Sequence, residues 1–255
     1  MAIVISAVNQ KGGTGKTTSI IELSTNLANM EKRVLTIDFD SQVGLTYYIP
    51  AKEDAVSIYD VLHGNVSVKD AIQKVNNYDV IIASENLSSA DREFTDYDDV
   101  FLLKDIVDLV QDDYDYILID TSPSRSILLT MAYIASDYII VPNLADKGSV
   151  KGVEKVYNDL CEMRSKKRHV TNAKIIALLL NAYKSNEVND QILYEKLNVI
   201  SESIDDKPMV VTVRSYTGVK SCKTLMQSIS EYGKNSTAAI DFRNFAWDLV
   251  ERIEA

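Results

Sequence analysis

The chain has 255 residues, of which 46% are hydrophobic and 25% are charged, an ordinary composition for a folded globular protein. Its formal net charge of -10 argues against a surface that is basic throughout, as tight nucleic-acid binding favours, but leaves room for a local basic patch. The spacing of its two cysteines, Cys161 and Cys222, fits neither a disulfide framework nor a zinc or iron–sulfur site. The lack of a signal-peptide pattern and of an apolar run of roughly 18 residues predicts a cytoplasmic protein.

Short β-branched runs alternate with longer segments of helical periodicity along the chain. A run over residues 3–8 that is apolar except for Ser6 predicts a buried central strand, and apolar residues at helical spacing predict a helix over 17–30. Further strands are predicted over residues 33–39, 80–83, 116–119, 138–141, 174–180 and 210–213. Further helices are predicted over residues 57–62, 68–75, 100–112, 124–135, 149–168, 186–200, 219–232 and 237–253, with a surface loop over 84–99.

This alternation predicts an α/β fold with one doubly wound, mainly parallel sheet and helices on both of its faces. The sequence has no internal repeat, low-complexity tract or linker. We therefore expect residues 1–255 to form a single domain.

A glycine-rich segment joins the first strand to the first helix. It reads Gln10-Lys11-Gly12-Gly13-Thr14-Gly15-Lys16-Thr17-Thr18. Glycines let the backbone turn tightly and direct several N–H groups at one phosphate, and the following helix adds its positive N-terminal end. Lys16 can then reach the β- and γ-phosphates while the Thr17 hydroxyl ligates Mg2+. The pattern predicts the phosphate loop of a P-loop NTPase; the alternative is a glycine-rich turn without a ligand.

The loop departs from the general pattern G-x-x-x-x-G-K-[ST], because Gln10 holds the first glycine position and Lys11 precedes the glycines. This form resembles the deviant Walker A loop of the ParA/MinD superfamily. The resemblance implies that residues 11–18 bind ATP, that Lys11 and Lys16 act in catalysis, and that Lys11 reaches the nucleotide of a partner subunit in an ATP-dependent homodimer. The alternative for Lys11 is a solvated surface lysine.

Carboxylates end two of the predicted strands. Asp38 and Asp40 close the second strand, and carboxylates at the carboxyl edge of a parallel sheet face the ligand crevice. They resemble the superfamily's D-x-D-P-Q motif, with Ser41 in the proline position. The resemblance implies that Asp40 positions or activates the attacking water and that Asp38 acts near Mg2+; alternatively, Asp38 caps the next helix.

Asp120 follows the apolar strand over 116–119 and resembles the Walker B aspartate, which would hold Mg2+ with Thr17. The superfamily usually reads D-x-P-P here, whereas this chain reads Asp-Thr-Ser-Pro, and the alternative is a strand-end turn residue. Asn181, after the strand over 174–180, matches a position that often contacts adenine; the alternative is a helix cap or a turn residue.

Two functions compete within the superfamily. The first is a partitioning ATPase, weak alone, whose ATP-bound dimer binds nonspecific DNA on the nucleoid and whose hydrolysis is stimulated by a centromere-binding partner. The second resembles MinD, which cycles on membranes through a C-terminal amphipathic helix. In this chain the polar face of residues 237–253 is mainly acidic, which suits packing on the domain better than binding an anionic lipid surface.

DNA binding requires a basic patch, for which the candidates are Lys184, Arg214, Lys220 and Lys223. The basic run over 164–168 is a further candidate, although a helix end that satisfies its dipole explains the run better. Because the sequence starts at the first strand, we expect no N-terminal helix-turn-helix. On an acidic body, DNA affinity should fall steeply with salt and depend on dimerisation.

Overall fold

Eight strands form one sheet in the computed structural model, which describes residues 1–146, 148–165 and 170–254. The strands are β1 Ile3–Ala7, β2 Val34–Phe39, β3 Gln73–Val75, β4 Tyr78–Ile81, β5 Tyr116–Thr121, β6 Tyr138–Leu144, β7 Lys174–Tyr183 and β8 Met209–Arg214. Their order in the sheet is β3-β4-β2-β5-β1-β6-β7-β8, and every pair is parallel except the antiparallel pair β3–β4. The expected mainly parallel sheet is confirmed.

Helices cover both faces of this sheet. The α-helices are α1 Lys16–Asn29, α2 Gly44–Tyr47, α3 Ile58–Leu62, α4 Val68–Ala71, α5 Ala90–Glu93, α6 Leu102–Asp108, α7 Ile127–Ala135, α8 Ser149–Ser165, α9 Val188–Ser203, α10 Val219–Thr224, α11 Ile229–Tyr232 and α12 Thr237–Glu254. Two 3-10 helices span Glu85–Ser89 and Tyr97–Phe101. Alternate strand residues point to opposite faces: Ile5 packs in the core beneath α1 and α12, and Val4 in the core beneath α3, α6 and α7. A third core lies beneath α8 and α9.

Three predicted elements differ from the structure. The helix expected over 68–75 ends at Ala71, and β3 follows it as an edge strand that returns to β4 through a turn at Asn76, where φ is 53°. The helix expected over 219–232 is divided into α10 and α11, because Met226 adopts a left-handed φ of 51°. The loop expected over 84–99 contains α5, the whole 3-10 helix Glu85–Ser89 and the first part of the 3-10 helix Tyr97–Phe101. Residues 166–168 of the helix predicted over 149–168 lie outside the described residues.

The C-terminal helix α12 packs on the domain, as its acidic polar face led us to expect. Phe242, Phe245 and Leu249 are buried in the core that also contains residues of α1. Trp247, on the opposite face, is 58% exposed. Among the helices that the structure describes, none combines the length and the apolar character needed to cross a bilayer.

Sheet register brings the predicted carboxylates together. β1 lies at the centre between β5 and β6, and Asp120 at the end of β5 pairs with Ala7 of β1 on one side and with Asp38 of β2 on the other. The loop that follows β1 therefore begins beside both aspartates. This edge of the sheet is where a doubly wound fold binds its ligands.

Candidate functional site

The glycine-rich segment forms an open loop between β1 and α1. Gly13 and Gly15 have φ values of 75° and 95°, which favour glycine because an L side chain is strained there. A Cβ added at Gly12 or Gly13 would meet nothing within 4 Å, whereas one at Gly15 would lie 2.6 Å from Nδ2 of Asn181. The first two glycines therefore leave their backbone accessible, and the third permits contact with β7.

A cavity of about 460 Å3 opens over this loop, within the range of small-molecule sites. One side is formed by residues 12–18 and Asp40, and Asn181 lies at the end of β7. The opposite wall comes from the C-terminal part of the chain. Its residues are Val213, Arg214, Ser215, Tyr216, Val219, Lys223, Ile229, Ala238 and Phe242.

Lys16 lies at the base of the cavity and is only 6% exposed. Its ammonium group donates a hydrogen bond to the carbonyl oxygen of Asn9 at 3.2 Å. Burial lowers the pKa of Lys16, while the negative charges of Asp120 and Asp40 oppose that shift. The loop thus holds a desolvated cation at the point where phosphates would enter.

Asp120 is completely buried, and neither carboxylate oxygen has a hydrogen-bond partner of good geometry within the described ranges. Burial raises its pKa well above the ordinary value, and the charge of Asp38 adds to that shift. The nearby Thr17 hydroxyl and the Lys16 ammonium favour the ionised form. A buried carboxylate without partners is costly, so this position fits a cation that arrives with a ligand.

A magnesium ion suits this position because Mg2+ keeps several waters and needs few protein ligands. No group of three or more His, Cys, Asp or Glu side chains with metal-binding geometry occurs in the described parts of the chain. The residues present therefore fit a hydrated ion shared with phosphate oxygens, and do not form a closed protein cage.

Asp38 differs from Asp120 because its oxygens have partners. Oδ2 accepts hydrogen bonds from the backbone and hydroxyl of Thr46, at 2.8 and 2.7 Å, and Oδ1 accepts one from the backbone of Asp40 at 3.2 Å. Burial raises the pKa of Asp38 to about 6. Asp38 therefore ties the end of β2 to α2 and positions Asp40; its role beside the metal stays a prediction.

Asp40 lines the cavity and is 7% exposed. Its Oδ1 accepts a hydrogen bond from the backbone of Gln42 at 2.9 Å, which orients the carboxylate at the end of β2. Asp40 is therefore held next to the phosphate loop by Asp38 and Gln42, as a water-positioning group requires.

Asn181 connects the end of β7 to the loop. Its Nδ2 donates to the carbonyl oxygen of Thr14 at 2.9 Å, while its buried Oδ1 has no partner within the described residues. The side chain thus fixes the loop and keeps a buried acceptor without a partner beside it.

Lys11 does not belong to the lining of its own cavity. Its backbone N–H donates to Oδ1 of Asn9 at 2.9 Å, and its ammonium group forms an ion pair with Asp146. The side chains of Lys11 and Asp146 are 39% and 36% exposed. The lysine is therefore held at the surface, beside the site and outside it.

The four predicted DNA-binding residues do not form one free patch. Arg214 makes a bidentate pair with Asp241, at 2.9 and 2.6 Å, and Lys223 lies 4.2 Å from the ring centroid of Tyr48. Both also line the cavity, whereas Lys184 and Lys220 are exposed.

The further basic candidate, the run over 164–168, is only partly described. Arg164 binds the carbonyl oxygen of Ala173 and pairs with Asp206 at 2.8 Å, as expected for a helix end. Residues 166–168 lie outside the described residues.

Sequence patterns missed the wall opposite the loop. Tyr216, Val219 and Ile229 lie in segments whose apolar residues also fit an ordinary core, so no motif marked them. Asn9 was also missed, although its position directly after a buried strand and before the glycines could have identified it as a loop anchor.

Comparison with known proteins agrees with this geometry. The AAA domain family model matches residues 2–175. The chain is 28% identical to the chromosome-partitioning ATPase Soj of Treponema pallidum, with 96% of each chain covered. A plasmid partition protein of Borrelia burgdorferi, solved with AMPPNP, is 25% identical, with a TM-score of 0.80 and 98% of each chain covered.

Cobyrinic acid a,c-diamide synthase of Mycobacterium smegmatis, solved with ADP and magnesium, superimposes with a TM-score of 0.84 over all of this chain and 96% of its own. Its identity to this chain is 22%, so the likeness shows the fold alone. The same fold is therefore shared by proteins with different named activities, and the function depends on the site.

Proposed function

Because this chain belongs to the AAA domain family, and with its partition relatives to the ParA/MinD superfamily, we propose that it is an ATP-dependent, dimerising ATPase for plasmid or chromosome partitioning. The observation that carries the ATPase assignment is one arrangement of charges. The buried Lys16 ammonium lies at the base of a cavity over an accessible glycine loop, and the charge of the buried Asp120 carboxylate, at the adjoining edge of the sheet, acts on it.

The loop and Lys16 account for phosphate binding. Backbone N–H groups of residues 12–17 and the N-terminal end of α1 hold the phosphates, while Lys16 neutralises charge that develops during transfer. When bound, magnesium supplies further neutralisation of the phosphate oxygens, and Thr17 and Asp120 would hold it. Asn181 offers its free Oδ1 to the exocyclic amino group of adenine.

Asp40 orients the attacking water. Its carboxylate lines the cavity near Lys16, and Asp38 fixes the backbone on which it stands. Phosphoryl transfer needs positioning and electrostatic stabilisation more than covalent help, so a held carboxylate is sufficient for this role.

Lys11 completes the site of a second copy. It is placed outside its own cavity and bound to Asp146 through an ion pair at the surface. Exposed ion pairs contribute roughly 0–1 kcal/mol, so a nucleotide phosphate on a facing subunit can replace Asp146 as the partner. This exchange makes dimerisation dependent on ATP.

The partition role adds nonspecific DNA and a centromere-binding adaptor as partners. The names of the relatives support it, and exposed Lys184 and Lys220 offer charges that dimerisation would double. DNA binding would place the ATP-bound dimer on the nucleoid, where the adaptor stimulates an ATPase that is weak alone.

Cosedimentation tests the proposed function. The protein is spun with nonspecific DNA and, in parallel, with anionic liposomes, each with and without MgATP, and Lys16→Ala is the control. ATP-dependent binding to DNA alone supports partitioning. Binding to liposomes alone selects a MinD-like membrane cycle instead, and binding to neither contradicts both functions.

A further inference from the structure

A buried glutamate, Glu22, lies on α1 one to two turns after Lys16. It is 1% exposed and takes no part in the phosphate site described above. Six residues separate it from Lys16, a rise of about 9 Å along the helix. A buried carboxylate is costly unless it is hydrogen-bonded, so its partners explain why it is there.

Within the described part of the chain, the hydrogen bonds to this carboxylate come from the start of α11. The backbone N–H of Ile229 donates to Oε1, and Ser230 donates to Oε2 from its backbone at 3.1 Å and its hydroxyl at 2.6 Å. Asn26, one turn further along α1, also donates to the Ser230 hydroxyl at 2.9 Å. The phosphate-loop helix thus holds the α11 segment by polar contacts.

The segment held in this way is the far wall of the cavity. Ile229 both donates to Glu22 and lines the cavity, and Val219 and Lys223 of α10 line it just before. The left-handed turn at Met226 separates α10 from α11, so the wall is not formed by one continuous helix. Its position relative to the loop is therefore set by packing on α12 and by the polar contacts with α1.

Several titratable groups among the described residues face Glu22. Glu231 on α11 carries a like charge, and Cys222 on α10 and Tyr78 on β4 are further neighbours. Lys223 and Tyr48 line a small cavity together with Glu22. Burial raises the pKa of Glu22 to about 7, against the opposing effect of its hydrogen bonds. Lys223 carries the opposite charge but lies over the Tyr48 ring, 4.2 Å from its centroid, whereas the three donors of Ile229 and Ser230 bind the carboxylate directly.

We propose that Glu22 is a positioning residue for nucleoside recognition: its carboxylate fixes the wall formed by α10 and α11 at the distance from the phosphate loop that a base and ribose require. The inference rests on the proposed ATP site and deepens it. The phosphates contact the loop, whereas the nucleoside lies against the wall. Glu22 therefore governs the affinity for ATP and leaves the affinity for an inorganic triphosphate unchanged.

The test compares two ligands by calorimetric titration: MgATP and magnesium tripolyphosphate. Glu22→Leu keeps the side-chain volume but removes both acceptors, and should weaken MgATP binding about tenfold. Glu22→Gln keeps one acceptor and should weaken MgATP binding less than Glu22→Leu does. Tripolyphosphate affinity should change in neither variant. Asp190→Asn is the matched control, because Asp190 is a buried carboxylate that binds the backbone of Lys184 away from the cavity.

Equal losses for both ligands would show that Glu22 is merely structural and would overturn the inference, as would unchanged MgATP affinity in Glu22→Leu. If Glu22→Leu does not fold, Glu22→Gln and Ser230→Ala carry the same comparison. Ser230→Ala removes the hydroxyl that donates to Glu22 and accepts from Asn26, and substitutes no residue of α1. Failure of the wild-type protein to bind MgATP contradicts the proposed function itself, which is a distinct result.

Discussion

The glycines of the phosphate loop predict a graded effect of alanine substitution on stability. At Gly12 an added Cβ meets nothing within 4 Å, and φ is not positive. At Gly13 the space is equally open, but φ is 75°. At Gly15 φ is 95° and the Cβ would lie 2.6 Å from Asn181. Alanine therefore meets open space at Gly12, backbone strain alone at Gly13, and backbone strain together with a clash at Gly15.

The expected change in the free energy of unfolding follows from these differences. Gly12→Ala should change the free energy of unfolding by less than about 0.5 kcal/mol, as a surface substitution does. Gly13→Ala should lose about 1–2 kcal/mol from left-handed strain. Gly15→Ala should lose about 2–4 kcal/mol, because Asn181 must also move and its hydrogen bond to Thr14 contributes about 1 kcal/mol.

Urea unfolding of the nucleotide-free protein measures all three variants under one condition. Asn181→Ala combined with Gly15→Ala removes the clash but keeps the strain, so the double variant should lose less than the sum of the two single losses. Equal stability of Gly15→Ala and Gly12→Ala would refute the loop geometry described here.

Three further predictions concern charged residues of the site, and a fourth concerns Glu22 outside it. Asp40→Ala should bind MgATP normally but hydrolyse it at least about 100-fold more slowly, measured as phosphate release. Lys11→Ala should also bind MgATP but remain monomeric in sedimentation velocity; a dimer would remove the cross-subunit role. Asp120→Asn should raise the stability of the nucleotide-free protein at pH 8 by about 1–3 kcal/mol in urea unfolding, since it removes a carboxylate whose ionised form burial and the charge of Asp38 disfavour more than Thr17 and Lys16 favour it. It should also abolish the extra thermal stabilisation that magnesium gives to the ATP-bound protein. Glu22 has a pKa raised from 4.5 to about 7, so the folded state binds its proton more tightly and the free energy of unfolding should fall as pH rises across that window. Relative to Glu22→Gln the fall should amount to about 3 kcal/mol, and parallel pH profiles of the two proteins would contradict it.

The core of the fold could be predicted because its strands are buried on both faces. Residues 116–119 are continuously apolar and residues 3–8 are apolar except for Ser6, and the structure places β1 and β5 side by side at the centre of the sheet. Such runs depend little on context, since burial on both faces requires the same residue types throughout. The edge was less predictable: the helix expected over 68–75 ends at Ala71, and the short strand β3 is determined by its pairing with β4 and the turn at Asn76.

The residues of the site and its surroundings also fall into those that the sequence could predict and those that it could not. Lys16 and Asp120 were identified because a local motif demands those residues directly after a strand, and the structure brings them together. Glu22 and Ile229 could not be found from sequence, because they are 207 positions apart and each has an ordinary appearance in its own helix. Their importance depends on the packing of α11 against α1, which no local pattern encodes.

The measurement that tests the central claim most directly is the sedimentation velocity of Asp40→Ala with and without MgATP. A variant that binds ATP and cannot hydrolyse it should sediment as a dimer with MgATP and as a monomer without nucleotide or with MgADP. A monomer at saturating MgATP would contradict the proposal that this chain is an ATPase whose nucleotide joins two copies.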